Sequence, residues 1–329
     1  MNRLTASIVL LSVARISAAG PLIPSGGPIA PTHKTLTEIE PRTAINASNT
    51  PGDADSVFKI TKVGSYYLTD DVMGEAGKHG IEVFPATFGT VTIDLKGFSL
   101  YGVAGSLNGV NASGAVNVRN GAAQGWGGIG VMVSQGILEN LHVVFNGAEG
   151  IRALWGSTIT NCVAEGNFGD GISVGDVTRV HGCISKGNGA SGIHLDGACL
   201  ISECVAYAND FNGIEGGLST IRDCMLFSNG DAAIADSGFS IVQGNNIHSG
   251  GIGILAAGSR SRIEGNNISG CTIGIDVTGT GNIVIGNTCT DNGSNFEFPL
   301  GILNTVGEIL SFPAGGVVTS HNPWANIEY

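Results

Sequence analysis

The sequence predicts an all-β protein wound as a parallel solenoid, and three observations carry that expectation. Glycine supplies 53 of the 329 residues while charged residues make up only 13%, a balance that suits many tight turns joining short buried strands. A small residue followed by isoleucine recurs at Gly128-Ile129, Gly150-Ile151, Gly171-Ile172, Gly192-Ile193, Gly213-Ile214, Ala233-Ile234, Gly253-Ile254 and Gly274-Ile275, with successive intervals of 22, 21, 21, 21, 20, 20 and 21. Between these steps apolar residues alternate over short segments, as in Ile172 and Val174, and no helical spacing interrupts them. Units of about 21 residues cannot bury a core alone and must stack, which sets equivalent residues about 4.8 Å apart in neighbouring turns.

The elements follow in chain order. Residues 1–19 place Arg3 before an apolar run and end in Ser17-Ala18-Ala19, the pattern of a secretory signal cleaved near Ala19. Residues 20–56 form a proline-rich arm (Pro21, Pro24, Pro28, Pro31) and an N-terminal cap, because an open solenoid end exposes strand edges. Residues 57–292 make the solenoid itself, about ten turns at this period. Residues 293–329 break the period, bring in aromatic residues and read as a C-terminal cap or tail. No segment after the signal is apolar for long enough to span a bilayer, so the expected location is secreted, cell-surface or periplasmic.

Three further columns keep the beat. Leu141, Cys162, Cys183, Cys204, Cys224, Gly244, Gly265 and Gly286 form one, and Ile159, Val180, Ile201, Ile221 and Ile241 a second. Asn146, Asn167, Asn188, Asn209 and Asn229 form the third, expected to take left-handed corners and to hydrogen-bond amide to amide along the coil. The glycine before each isoleucine is expected to permit a sharp turn. Cysteine spacing does not match a zinc site, and stacked thiols about 5 Å apart are too far apart to bridge, so free buried thiols are expected.

On these columns, and on "NCVAEGNFGDGISV", "NGIEGGLSTIRDCMLFSNG" and "HGIEVFPATFGTVTIDLKGFSLYGV" (79–103), the chain resembles the single-stranded right-handed parallel β-helix proteins of the pectate-lyase-like superfamily, over roughly residues 57–292. The right hand is what the resemblance implies; the period itself implies only stacking. An extended polysaccharide or cell-surface glycan is the partner that the resemblance suggests. Catalytic phrases of the family are missing: N-T-D, G-H-G, R-I-K and D-P-H-D do not occur, and no proline lies between Pro85 and Pro299.

Function must therefore be sought on outward positions. Two residues past each repeat glycine stand Gly130, Arg152, Ser173, His194, Glu215, Ala235, Leu255 and Asp276, with Asp196 and Ser237 on the next outward position. His194, Asp196 and Glu215 are the candidate catalytic residues, since a histidine beside two carboxylates can move protons. Arg152, Ser173 and Asp276 are candidate ligand contacts on the same face. Oxygen and imidazole together leave a calcium ion open, but no cofactor motif is present. A polar face without chemistry is the competing reading. A formal charge of −12 without any basic run excludes nucleic acid as the partner. Val163, Ile184, Val205 and Met225, flanked by Glu165, Lys186, Tyr207 and Phe227, either face outward as a stripe for self-association or turn into the core.

Overall fold

The computed structural model describes residues 40–85, 87–301, 303–311 and 320–329. The expected signal at 1–19 and most of the proline-rich arm lie outside the described residues. Every regular element among the described residues is a β-strand, and every strand-to-strand pairing is parallel. The chain makes about 13 turns of solenoid rather than about ten. The count rises because pairing begins at Thr43–Ile45, which lies on Tyr66 to Leu68, and continues to Asn326–Glu328.

Each turn passes through three sheets. In the first, Ile151–Ala153, Ile172–Val174, Ile193–Leu195 and Ile214–Gly216 lie in register, with Ile151, Ile172, Ile193 and Ile214 aligned and fully buried. In the second, Ile159, Val180, Ile201 and Ile221 point inward, and in the third Ala164, Ser185, Ala206 and Leu226 do. Strands of three residues suffice because each is hydrogen-bonded above and below and lends its inward side chain to one continuous core.

The three corners hold the turns together by a common device: a side-chain heteroatom accepts the backbone N–H of the rung before it. At the corner leading into the first sheet, Asn146, Asn167, Asn188, Asn209 and Asn229 do this, and the Nδ2 of each of the first four also donates to the next Oδ1 at 2.9 to 3.0 Å. Their backbones are not left-handed, contrary to the sequence expectation. The preceding residue takes that conformation, as at Phe145 (φ 54°), Ala208 (φ 52°) and Ser228 (φ 55°), and so swings the asparagine inward. At the corner after the first sheet the acceptors are hydroxyls: Cys199 N donates to Ser219 Oγ, Ser219 N to Ser240 Oγ and Ser240 N to Ser261 Oγ.

The third corner carries the cysteines. Cys162, Cys183, Cys204 and Cys224 are buried and free, Cys162 N donating to Cys183 Sγ at 3.5 Å. Here the sequence columns slip by one residue. Cys224 N donates to Asn245 Oδ1, so the column continues through Asn245, Asn266 and Asn287, a second amide ladder, and not through Gly244, Gly265 and Gly286. Those glycines occupy the left-handed position just before it, shared with Asn161 and Asp223. For the same reason Val242, not Ile241, lies on Ile221. Gly130-Val131, not Gly128-Ile129, is the step equivalent to Gly150-Ile151.

The repeat glycines also do a different job from the expected sharp turn. At Gly192 a Cβ would stand 2.6 Å from both Asn209 Nδ2 and Gly213 O, so glycine is needed because the next rung comes close. The second ladder ends unusually. Asn287 Nδ2 donates at 3.1 Å to the Oδ1 of Asn326, whose strand, Asn326–Glu328, lies between Thr288–Thr290 and Ile309–Ser311.

Candidate functional site

The outward column of the first sheet runs Met132, Arg152, Ser173, His194, Glu215, Ala235, Leu255, Asp276. Met132 replaces the expected Gly130, which belongs to the preceding corner. The register therefore sets Arg152, Ser173, His194 and Glu215 on consecutive rungs. Asp276 lies three rungs beyond Glu215, about 14 Å along the coil, and is not brought to the others. Burial, with Glu297 beside it, raises the Asp276 carboxyl above its ordinary range.

His194, Asp196 and Glu215 do come together. His194 Nε2 is 3.1 Å from Asp196 Oδ1, and its Nδ1 is 3.9 Å from Glu215 Oε2. Glu215 Oε2 also accepts from Ser191 Oγ at 2.8 Å and from Asn212 Nδ2 at 3.1 Å. Burial works to raise Glu215, but the Asn212 and Ser191 hydrogen bonds and the neighbouring His194 outweigh it, and the carboxyl stays below its ordinary range.

Ser191 links this cluster to a residue that the sequence reading passed over. Its backbone N–H donates to Asp170 Oδ1 at 2.9 Å. Asp170 is raised, chiefly by burial and further by Glu149 and Glu215, against the opposing effects of Ser191 N–H and His194. Asp170, Ser191, Glu215, His194 and Asp196 thus form one connected polar chain over three rungs. Arg152 pairs with Glu149 at 2.8 Å and is largely neutralised.

A groove follows this face. Its main chamber, about 880 Å³, is lined by His194, Asp196, Glu215, Asp231, Asp236 and Leu255, among others. A chamber of about 170 Å³ that shares Asp196 holds Arg152, Ser173 and Trp155. A third, about 270 Å³, adds Leu218 and Phe239. The corner that walls the groove carries exposed apolar side chains at Trp155, Val177, Leu218 and Phe239. Val177, Leu218 and Phe239 sit there with φ of 57 to 59°, a conformation that costs a branched or bulky residue and tends to persist where function requires it. Among the described residues no group of three or more His, Cys, Asp or Glu is arranged to hold a metal ion. No helix among the described residues is long and apolar enough to cross a membrane.

The stripe on the third sheet faces outward. Ile184 and Met225 are exposed, Val163 and Val205 half-buried, Glu165 pairs with Lys186 at 3.1 Å, and Tyr207 stacks on Phe227 at 4.3 Å.

No protein-family model and no curated protein sequence matches the chain. Among solved structures, the A-module of mannuronan C-5 epimerase AlgE6 from Azotobacter vinelandii is similar with a TM-score of 0.59 and 16% identity, over 80% of this chain and 86% of that one. The Dettilon tailspike protein gives 0.48 at 18% identity over 82% and 62% of the two chains, and pectate lyase Pel9A 0.42 at 15% over 73% and 76%. The first of these likenesses shows the fold alone, a right-handed parallel β-helix, and assigns no residue a role.

Proposed function

We propose that the first-sheet groove binds an extended carbohydrate chain. The observation that carries the reading is its continuity: polar side chains at one-rung intervals from Arg152 to Glu215 run beside an apolar wall from Trp155 to Phe239. A rung is about 4.8 Å high, close to the length of one pyranose residue, so successive sugars meet successive rungs. Exposed Trp155 and Phe239 offer rings against which the apolar faces of sugars can stack, while carboxylates and amides take the hydroxyls. The epimerase with the shared fold is named for mannuronan, a polysaccharide, which supports the reading by analogy. The same proposal places the protein outside the cytoplasm, on the reading of residues 1–19. Affinity electrophoresis through gels cast with a panel of polysaccharides tests it: at least one polymer should retard the protein, and Trp155→Ala should abolish the retardation. A protein retarded by no polymer would overturn it.

Hydrolysis is a second reading, favoured by the opposed proton affinities of Asp170 and Glu215 across Ser191. A carboxyl with raised proton affinity and one with lowered proton affinity suit the separate roles of acid and base, one protonating the leaving oxygen and the other deprotonating the attacking water. Release of reducing ends from a bound polymer, lost in both Asp170→Asn and Glu215→Gln, is its test. A polymer bound for days without new reducing ends would rule it out.

A further inference from the structure

We propose that the groove is selective for charge: it takes sugars that present hydroxyl or ammonium donors and rejects uronates, with Asp236 as a buried acceptor in its lining. This inference rests on the glycan reading above.

Asp236 occupies an inward position of the first sheet, in a column otherwise filled by Val174, Leu195, Gly216, Ala256 and Val277. An acid in such a column is costly unless its oxygens are answered. Asp236 is 1% exposed, and its Oδ1 accepts from Gly238 N at 3.0 Å. Its Oδ2 finds no donor in the protein. Its neighbours in the stack, Gly216 and Ala256, are small, and Asp236 is among the residues that line the 880 Å³ chamber. A buried acceptor without a donor, next to a groove, is satisfied when the occupant brings one.

The charge of the chamber points the same way. Asp196, Glu215, Asp231 and Asp236 line it, no lysine or arginine does, and His194 is its one side chain able to become cationic. Arg152, in the adjoining chamber, is already paired with Glu149. A uronate chain, with a carboxylate on every sugar, would face like charges over successive rungs. A glucosamine chain brings an ammonium to each.

The test uses the full chain and two matched sets of hexamers, α-1,4 and β-1,4, each made of glucosamine, glucose and glucuronic acid, with affinities from calorimetry at low and at physiological salt. Glucosamine hexamers of the recognised linkage should bind at least tenfold more tightly than glucuronic acid hexamers, and added salt should narrow the gap. In Asp236→Asn the orphan oxygen becomes a donor, and the preference should fall at least threefold. Glu215→Gln, at a half-exposed position where folding is not at risk, should reduce it in the same direction. Glucuronic acid hexamers that bind as tightly as glucosamine hexamers, or a preference untouched in both variants, would overturn the selectivity while leaving the glycan reading standing. Failure of every hexamer to bind would overturn the selectivity, and retardation by no polymer of the polysaccharide panel would overturn the glycan reading with it.

Discussion

Removing the amide of Asn188 cuts the first ladder at its centre. That side chain accepts from Asn167 N and Asn167 Nδ2, both at 3.0 Å, and donates to Asn209 Oδ1 at 2.9 Å and Ala164 O at 3.2 Å. In Asn188→Ala, Asn167 Nδ2 retains Val143 O at 3.1 Å and Asn209 Oδ1 retains Asn188 N at 3.2 Å. The Asn167 N–H retains nothing. One buried orphan donor costs about 1–3 kcal/mol, and the other three lost bonds about 1 kcal/mol each, so the variant should lose roughly 4–6 kcal/mol. Because a stacked coil need not unfold in one step, the assay is amide hydrogen exchange residue by residue, supported by urea unfolding. Protection should fall most at the Asn167 amide. Asn188→Asp sharpens the test: it keeps the acceptor but points a second oxygen at Asn209 Oδ1, so it should be the worse variant at neutral pH and recover in acid, where a protonated carboxyl can donate. A loss below about 0.5 kcal/mol in the alanine variant, with protection at Asn167 unchanged, would refute the reasoning.

Other consequences can be checked directly. Gly192→Ala pushes a methyl against Asn209 Nδ2 and Gly213 O and should cost about 1–3 kcal/mol in urea unfolding, whereas Ala233→Gly, at the column position that already carries a methyl, should cost no more than about 1 kcal/mol. All seven cysteines are buried; the neighbouring thiol together with burial pushes Cys183 and Cys204 up to about 12, and burial does the same for Cys289, so a thiol reagent should label none in the native protein and seven after unfolding. Asp170 has a raised carboxyl, so its favourable contribution is complete below the unfolded-state value and lost as pH rises through the folded value. Asp170→Asn should accordingly raise the melting temperature at pH 7 and leave it unchanged at pH 3, in paired thermal melts. Val177→Gly relieves a left-handed valine at φ 59° and should stabilise the coil by about 1 kcal/mol, read from the same melts.

Much of the fold was legible because a solenoid writes its spatial neighbours into the sequence at a fixed interval. Asn146 to Asn229 could be read as a ladder, and Cys162 to Cys224 as a column of free thiols, from spacing alone. The one-residue slips at Gly244 and Ile241 have a physical origin. Intervals of 20 occur among those of 21, and a glycine in the left-handed corner beside the column looks like a small residue within it. His194, Asp196 and Glu215 were legible as a cluster because alternation fixes which side chains point outward. Asp170 and Ser191 were not, since they lie in a corner, where alternation fails and only the hydrogen bonds of Ser191 join them to Glu215. Asp236 left a signal that went unused: a carboxylate two residues after Ile234 stands where Val174 and Leu195 stand in other turns. Trp155, Val177, Leu218 and Phe239 were hidden for the opposite reason, being bulky residues at turns where glycine and asparagine are the usual occupants.

The interposed strand Asn326–Glu328 makes spatial order differ from chain order at that end of the coil. Zippering along the chain would deliver Ile309 to the place above Asn287, and an aliphatic side chain there has no oxygen to offer. The amide row can be finished only after a segment synthesised later has slid in beneath one made earlier, so this end should be the last part of the molecule to set. It also means that a nascent chain halted near residue 311 holds an exposed, unanswered asparagine, a natural docking place for a stray strand from another molecule.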